Sequence, residues 1–352
     1  MKTPMSKTKK RTIASFIGLV LVVIVYFILR TLIVSGAINN YYAGIINSIC
    51  IYVVAAVSLN IVTGILGQLV LGHAGFMMIG AYTSALITRG LAQMMSEYDW
   101  WSLHYSLPLG LLAGGLLAAV LGFLIGIPAL RLRGDYLAII TLGFGEILRV
   151  VANNLSIING AKGMNDFPIF STRKDPAALF TYAFFIAAFI AYFSYTFATS
   201  RHGRAVISIR EDEIAADSSG VNTTAYKLLA FTLSAFFGGI AGALLGHNIG
   251  VLQPSGFSFN LSVEILMMVV LGGMGSITGS VLSAGVLTVL PELLRSFKDY
   301  RMLLYSVLLV LVMLFRPSGL LGRKELQVIA PFEKLLARFK KAASAGKGGE
   351  AE

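Results

Sequence analysis

Residues 59–88 read LNIVTGILGQLVLGHAGFMMIGAYTSALIT. The stretch holds no Lys, Arg, Asp or Glu and is apolar enough for a bilayer. Yet Gly64, Gly67, Gly72, Gly75 and Gly80 weaken helix continuity and permit close backbone approach. Gln68 and His73 bring hydrogen-bonding groups to membrane depth. A span that only had to sit in lipid would need none of this. Two readings fit. One is tight helix packing with a satisfied amide and imidazole. The other is a broken segment along a translocation path, with Gln68, Gly72, His73 and Gly75 as lining and gating candidates.

Both readings imply a polytopic, all-α transmembrane bundle, and the composition agrees. Of 352 residues, 56% are hydrophobic and 13% charged, with a mean hydropathy of +0.79. Globular chains carry about 25% charged residues, and disordered ones combine low hydrophobicity with high charge. Cys50 is the one cysteine, which excludes an intrachain disulfide or a cysteine cluster. His73, His104, His202 and His247 show no ligand spacing, so no metal site is expected. The net charge of +11 sits at the two ends and in short loops between apolar runs. That placement fits membrane orientation and a tail near anionic lipid, not a nucleic-acid partner.

About ten spans are expected, some short or broken: Ile13–Leu29, Ala43–Val62, Leu69–Thr88, Leu107–Leu130, Tyr136–Val151, Leu179–Thr199, Leu228–His247, Val263–Leu271, Ile277–Leu290 and Leu303–Phe315. Segments 1–12, 131–134, 200–227 and 316–352 hold 19 of the 28 Lys and Arg, against eight in the alternate loops. By the positive-inside rule both termini are cytoplasmic, in a multi-pass protein of the inner membrane. The organisation expected is a basic cytoplasmic N-terminus at 1–12, a transmembrane permease-like domain at 13–322 and a cytoplasmic, partly disordered tail at 323–352, low in complexity after Phe339. The first apolar run, about 17 residues, exceeds the core of a cleaved signal, so a retained helix is expected.

Two further stretches break the pattern. In RLRGDYLAIITLGFGEILRVVANN (131–154), Glu146 and Arg149 are three apart and share a helix face, with Thr141 on the same segment. A lone charge at mid-span costs about 2.5–3.5 kcal/mol, so pairing or a wet cavity must offset it. The pair suits an internal lock, a gate, or contact with a substrate amino group. A proton relay would need more acidic groups at depth, for which Glu264 is the available candidate. In VVLGGMGSITG (269–279), Gly272, Gly273, Gly275 and Gly279 make a continuous helix improbable. Two half-helices joined by an irregular turn are expected, or a tight turn at the membrane surface. Gly64–Gln68 and Gly272–Ser276 are loosely alike in spacing, as in a parallel internal repeat.

The longest internal loop, 200–227, carries SIREDEIAADSSG at 208–220. Ser208 and Glu211 have capping-box spacing. Glu211, Asp212 and Glu213 would lie in the first turns of one helix, Ile214, Ala215 and Ala216 would continue it, and Gly220 would end it in the left-handed conformation. A short, well-capped, exposed helix suits docking to a partner; a solvated linker helix has the same spacing.

These stretches, together with GRAVISIREDEIAADSSGVNTTAYKLLAF (203–231), VVLGGMGSITGSV (269–281) and MLFRPSGLLG (313–322), resemble the permease subunits of branched-chain amino acid ABC importers, of the LivM type in the LivH/LivM family. The resemblance implies that Ser208, Ile209, Arg210, Glu211, Asp212, Glu213, Ile214, Ala215, Ala216 and Gly220 form an ATPase-coupling segment. It also implies a second permease subunit of the LivH type, two ATPase subunits and an extracytoplasmic amino-acid-binding protein. ATP and Mg would be held by the ATPases, with no cofactor in this chain. One departure touches substrate preference: family members often carry a Thr-Gly-Gly type loop after the Asn-Asn pair, where this chain has INGAKGMNDFP (158–168). No P-loop and no nucleophile constellation occur, so the chain is expected to be a transport subunit and not an enzyme. A urea or other small-solute permease of the same superfamily, or an ion-coupled secondary transporter, are the alternatives.

Overall fold

The computed structural model describes residues 7–94, 100–132, 134–168, 170 and 177–300, isolated positions from 303 to 315, and residues 319–322. Helix α1 is Lys7–Val34 and α2 is Asn40–Asn60, which continues as a π-turn over Ile61–Leu66. After an extended stretch come α3 (His73–Met94), α4 (Trp100–Ala129), α5 (Asp135–Asn154) and α6 (Ala178–Thr199). Two short helices follow, α7 (Arg201–Glu211) and α8 (Glu213–Ser218), then α9 (Thr223–Ile249), α10 (Phe259–Gly272) and α11 (Ile277–Leu293). Among the described residues the protein is helical, apart from one isolated antiparallel bridge between Met164 and Leu252.

Among the described residues, five helical stretches are long and apolar enough to cross a membrane: Asn40–Leu66, Tyr105–Ala129, Tyr136–Asn154, Ala178–Thr199 and Thr223–Ile249. Val20–Val34, Phe259–Gly272 and Ile277–Leu293 are shorter apolar helices. Helices stand at all the expected spans but the last. Leu303–Phe315 lies outside the described residues except for isolated helical positions, and the tail at 323–352 lies wholly outside them. The third span starts later than expected, at His73 instead of Leu69. Gly67 adopts φ +78°, a left-handed conformation that ends the preceding helix, and a right-handed helix does not resume until His73.

The centre of the bundle is built from α3, α4 and α9, which approach through small residues. A Cβ on Gly80 would collide with the Gly239 carbonyl, one on Gly114 would press on Gly80, and one on Gly242 would strike the Met77 carbonyl. Lipid tails give apolar helices no reason to prefer one another, so close backbone packing supplies the association. Helix α2 is the most enclosed, with Val53–Leu66 buried. Helix α1 leans on α6, where Tyr26 Oη lies 3.1 Å from Thr181 Oγ1 and its ring meets Phe180, Phe184 and Phe185.

The bundle has two distinct ends. One gathers the α2 terminus, α7, the turn between α10 and α11, and residues 319–322, where Leu320 N donates to Leu271 O at 2.7 Å. At the other, Tyr41 at the start of α2 hydrogen-bonds Glu292 near the end of α11, and Arg295 stacks on the Tyr41 ring.

Candidate functional site

The α2–α3 break is irregular backbone inside the bundle, and its polar groups find partners on other helices. Leu71 N donates to Thr141 Oγ1 on α5 at 3.2 Å, and Ala74 N donates to Ser262 Oγ on α10 at 3.0 Å. Such backbone is tolerated at membrane depth only when buried in protein or beside water. Glycine lets α5 come close: a Cβ on Gly72 would collide with the Thr141 carbonyl, and one on Gly75 would lie 3.0 Å from Gly145 Cα. His73 is buried and its Nε2 lies 2.9 Å from Ser58 Oγ. His73 Nδ1 and Gln68 Oε1 are buried without a hydrogen-bond partner.

The α10–α11 break is a turn at Gly273–Ser276 between two short helices. Gly273 and Gly275 have φ of +108° and +89°. Ser276 caps α11 by accepting from Gly279 N at 3.1 Å. The two breaks, far apart in sequence, lie against each other. Asn60 joins them, its Nδ2 donating to Ser276 O at 3.1 Å while its Oδ1 accepts from Gly275 N at 2.9 Å. A Cβ on Gly64 would collide with Gly275 N. The loosely similar glycine segments thus form one contact.

Helix α5 carries the ion pair. Arg149 Nη2 lies 2.6 Å from Glu146 Oε2, and its Nε donates to the same oxygen at 2.8 Å. The two side chains are 31% and 34% exposed, so the pair locks no buried helix junction within this chain. Glu146 borders a small cleft beside the α2–α3 break, together with Leu71, Gly72, Gly75, Leu142 and Ser262. Tyr136, Ile139, Ile147 and Val150 leave much of α5 apolar and uncovered.

The 200–227 loop differs from the expected single helix from Ser208 to Gly220. Helix α7 already starts at Arg201, capped by Ser200 Oγ accepting from Gly203 N at 3.1 Å. Ser208 lies inside it, and its Oγ donates to Ala205 O at 2.8 Å, so no capping box forms with Glu211. The chain breaks at Asp212 (φ −157°), whose carboxylate accepts from Ile214 N and Ala215 N at 2.9 and 3.0 Å and starts α8. An aspartate offers a stronger local cap than a serine already occupied by its own turn. Glu211 ends α7, and only Glu213 lies in a first turn, that of α8. Gly220, at φ +82°, ends α8 as expected, with Val221 N donating to Ala216 O at 3.1 Å. Ile209 and Ala216 face inward, whereas Ile214 is 70% exposed and Ala215 is exposed beside it.

Three residues central to these contacts escaped the sequence reading. Lys227 is buried, and its Nζ lies 2.7 Å from Glu213 Oε2. Asn60 and Ser58 sit in an unbroken apolar run. A polar side chain at membrane depth was the available signal for both. At the other end of the bundle, the loop that departs from the family pattern is folded. Met164 pairs with Leu252, and Arg89 Nη2 lies 2.9 Å from Asp166 Oδ2. Buried His247 bonds Ser84 Oγ through Nε2 and Pro168 O through Nδ1, at 3.0 and 3.1 Å.

The chain matches the family model described as branched-chain amino acid transport system, permease component, over residues 41–315. It is similar to the high-affinity branched-chain amino acid transport system permease protein LivM of Salmonella typhimurium, 40% identical over 275 residues, which cover 70% of this chain and 62% of that protein. LivM of Escherichia coli K12 is 39% identical over the same length, with the same coverage. The permease protein LivH of Salmonella typhimurium is 27% identical over 266 residues, covering 72% of this chain and 85% of that protein. The chain thus spans about three-fifths of the length of the LivM relatives it matches. No solved structure matches it. With most of its length matched by the family model, this multi-pass helical protein belongs to the permease-component family of branched-chain amino acid transport systems.

Proposed function

We propose that this chain is the permease subunit of an ABC importer that moves branched-chain amino acids (Leu, Ile or Val) across the cytoplasmic membrane. It binds no nucleotide itself. ATP and Mg are held by two ATPase subunits on the cytoplasmic side, where α7 and α8 form the coupling handle. A second, LivH-type permease subunit completes the pathway, and an extracytoplasmic binding protein delivers solute to the opposite end, around Asn153–Ala178 and Asn248–Ser262.

One observation carries this reading. The Glu146–Arg149 pair sits half-exposed near the middle of α5, beside the α2–α3 break. Against lipid such a pair is costly, so this face of α5 meets water or a second protein. The orphan Gln68 Oε1 and His73 Nδ1 fit the same reading, because a buried polar atom costs stability unless water or another group meets it. The family and the similarity to LivM support the substrate class.

Proteoliposome uptake of labelled leucine tests the proposal. The complex purified with its partners takes up solute only with ATP on the handle side and loaded binding protein on the other. This chain alone, under a proton or sodium gradient, concentrates nothing. Uptake by the chain alone would overturn the importer reading in favour of an ion-coupled carrier, and uptake of urea but not leucine would overturn the substrate class.

A further inference from the structure

We propose that Arg210 is a positioning residue that latches the handle to both broken segments, so that a displacement of α7 reaches them through a single guanidinium. This deepens the importer reading and rests on it.

The last carbonyls of a helix have no partner within it. At the end of α2, Gly64 O accepts from Arg210 Nη1 at 2.8 Å. A cation at a helix C-terminus is also favoured by the helix dipole. The other edge of the guanidinium is held by Glu211 Oε1, which accepts from Nε at 3.2 Å and from Nη2 at 2.7 Å. With both edges engaged, the planar fork has one orientation, which a lysine ammonium does not have.

Both breaks leave room for this side chain by lacking their own. Gly67, at φ +78°, is where the chain leaves α2, and a Cβ there would collide with Arg210 Cγ. Gly275, at φ +89°, lies in the α10–α11 turn, and a Cβ there would stand 3.2 Å from Arg210 Nη1. The Arg210 side chain is only 19% exposed and lies against Gly67 and Gly275. Arg210 therefore does not serve as a docking contact. It joins the handle to the place where Asn60 already ties the two breaks together. A guanidinium that bonds one break and fills the slot left by both transmits a rigid-body movement of α7 without needing a chain of intermediates.

The test uses the reconstituted complex with its partners and compares wild type with Arg210→Gln and Arg210→Lys. The readouts are ATPase co-purification, ATP hydrolysis, and solute moved per ATP hydrolysed. In R210Q the ATPase stays bound and hydrolysis stays within about twofold, while solute per ATP falls about tenfold, the scale of one lost charge-assisted hydrogen bond. R210K keeps a cation that can reach Gly64 O and recovers part of the ratio. A merely structural role would lower hydrolysis and uptake together and leave their ratio unchanged, and that result overturns the latch. Wild-type transport by R210Q overturns it as well. If the wild-type chain recruits no ATPase, the importer reading itself fails and the latch falls with it, an outcome visible before any variant is made.

Discussion

Lys227 Nζ lies 2.7 Å from Glu213 Oε2 at the root of the handle, and the lysine side chain is 4% exposed while the glutamate is 28% exposed. The pair fixes α8 to the first turns of α9. It also sorts the acidic residues of this segment by role. Asp212 starts α8, Glu213 holds Lys227, and Glu211 orients Arg210. A buried ammonium without its partner is costly, whereas removing both charges together is often nearly neutral.

Glu213→Gln should therefore lower stability by about 2–3 kcal/mol, less than for a fully buried pair because the carboxylate is partly wet. Lys227→Met with Glu213→Gln should recover most of that loss. Thermal unfolding of the detergent-solubilised protein measures both, and equal midpoints for the single and double variants would refute the pairing argument.

Ile214 is a large apolar residue left 70% exposed on α8, and under the proposed function it is the side chain that would enter the ATPase. Burying an isoleucine contributes about 1.5–3 kcal/mol, so Ile214→Asp should weaken ATPase association about tenfold or more. Its own thermal midpoint should not change, because the side chain touches little of this chain. A pull-down titration gives the affinity.

The Glu146–Arg149 pair separates a lock from a pathway element. Arg149→Leu leaves a carboxylate alone near mid-span, at a cost of about 2–3 kcal/mol, and uptake should fall about tenfold while membrane insertion persists. The swap Glu146→Arg with Arg149→Glu restores the pair but reverses its polarity. Uptake should remain low in the swap if the pair faces the solute, and recover if it only holds α5.

Glycines of this chain should divide into two classes. Gly242→Ala pushes a Cβ into the Met77 carbonyl and should separate α9 from α3, costing about 1–3 kcal/mol. Gly44→Ala and Gly90→Ala meet nothing within 4 Å and lie inside helices. They should be neutral or stabilising by about 0.5–1 kcal/mol. Thermal midpoints of the three variants test the division.

Much of the site was legible residue by residue. The Glu146–Arg149 pair followed from a spacing of three on one helix face, and Gly220 ended α8 as its position suggested. The handle's internal punctuation was misread, because Ser208 and Asp212 both have the composition of a cap. Only the geometry decides which oxygen meets a free amide, and Asp212 meets two. Lys227 was passed over as one more basic residue of an internal loop, since sequence does not tell a snorkelling lysine from a buried one.

Hydrophobicity, a local and additive property, determined from the sequence alone that this is a bundle of membrane helices, and the glycine clusters marked where those helices break. What the breaks do was decided elsewhere in the chain. Asn60, Thr141, Arg210 and Ser262 reach the broken backbone from four different helices, across as many as 216 residues. The need to satisfy every buried amide and carbonyl is present in each local segment, but the partner that satisfies it is a matter of three-dimensional neighbours.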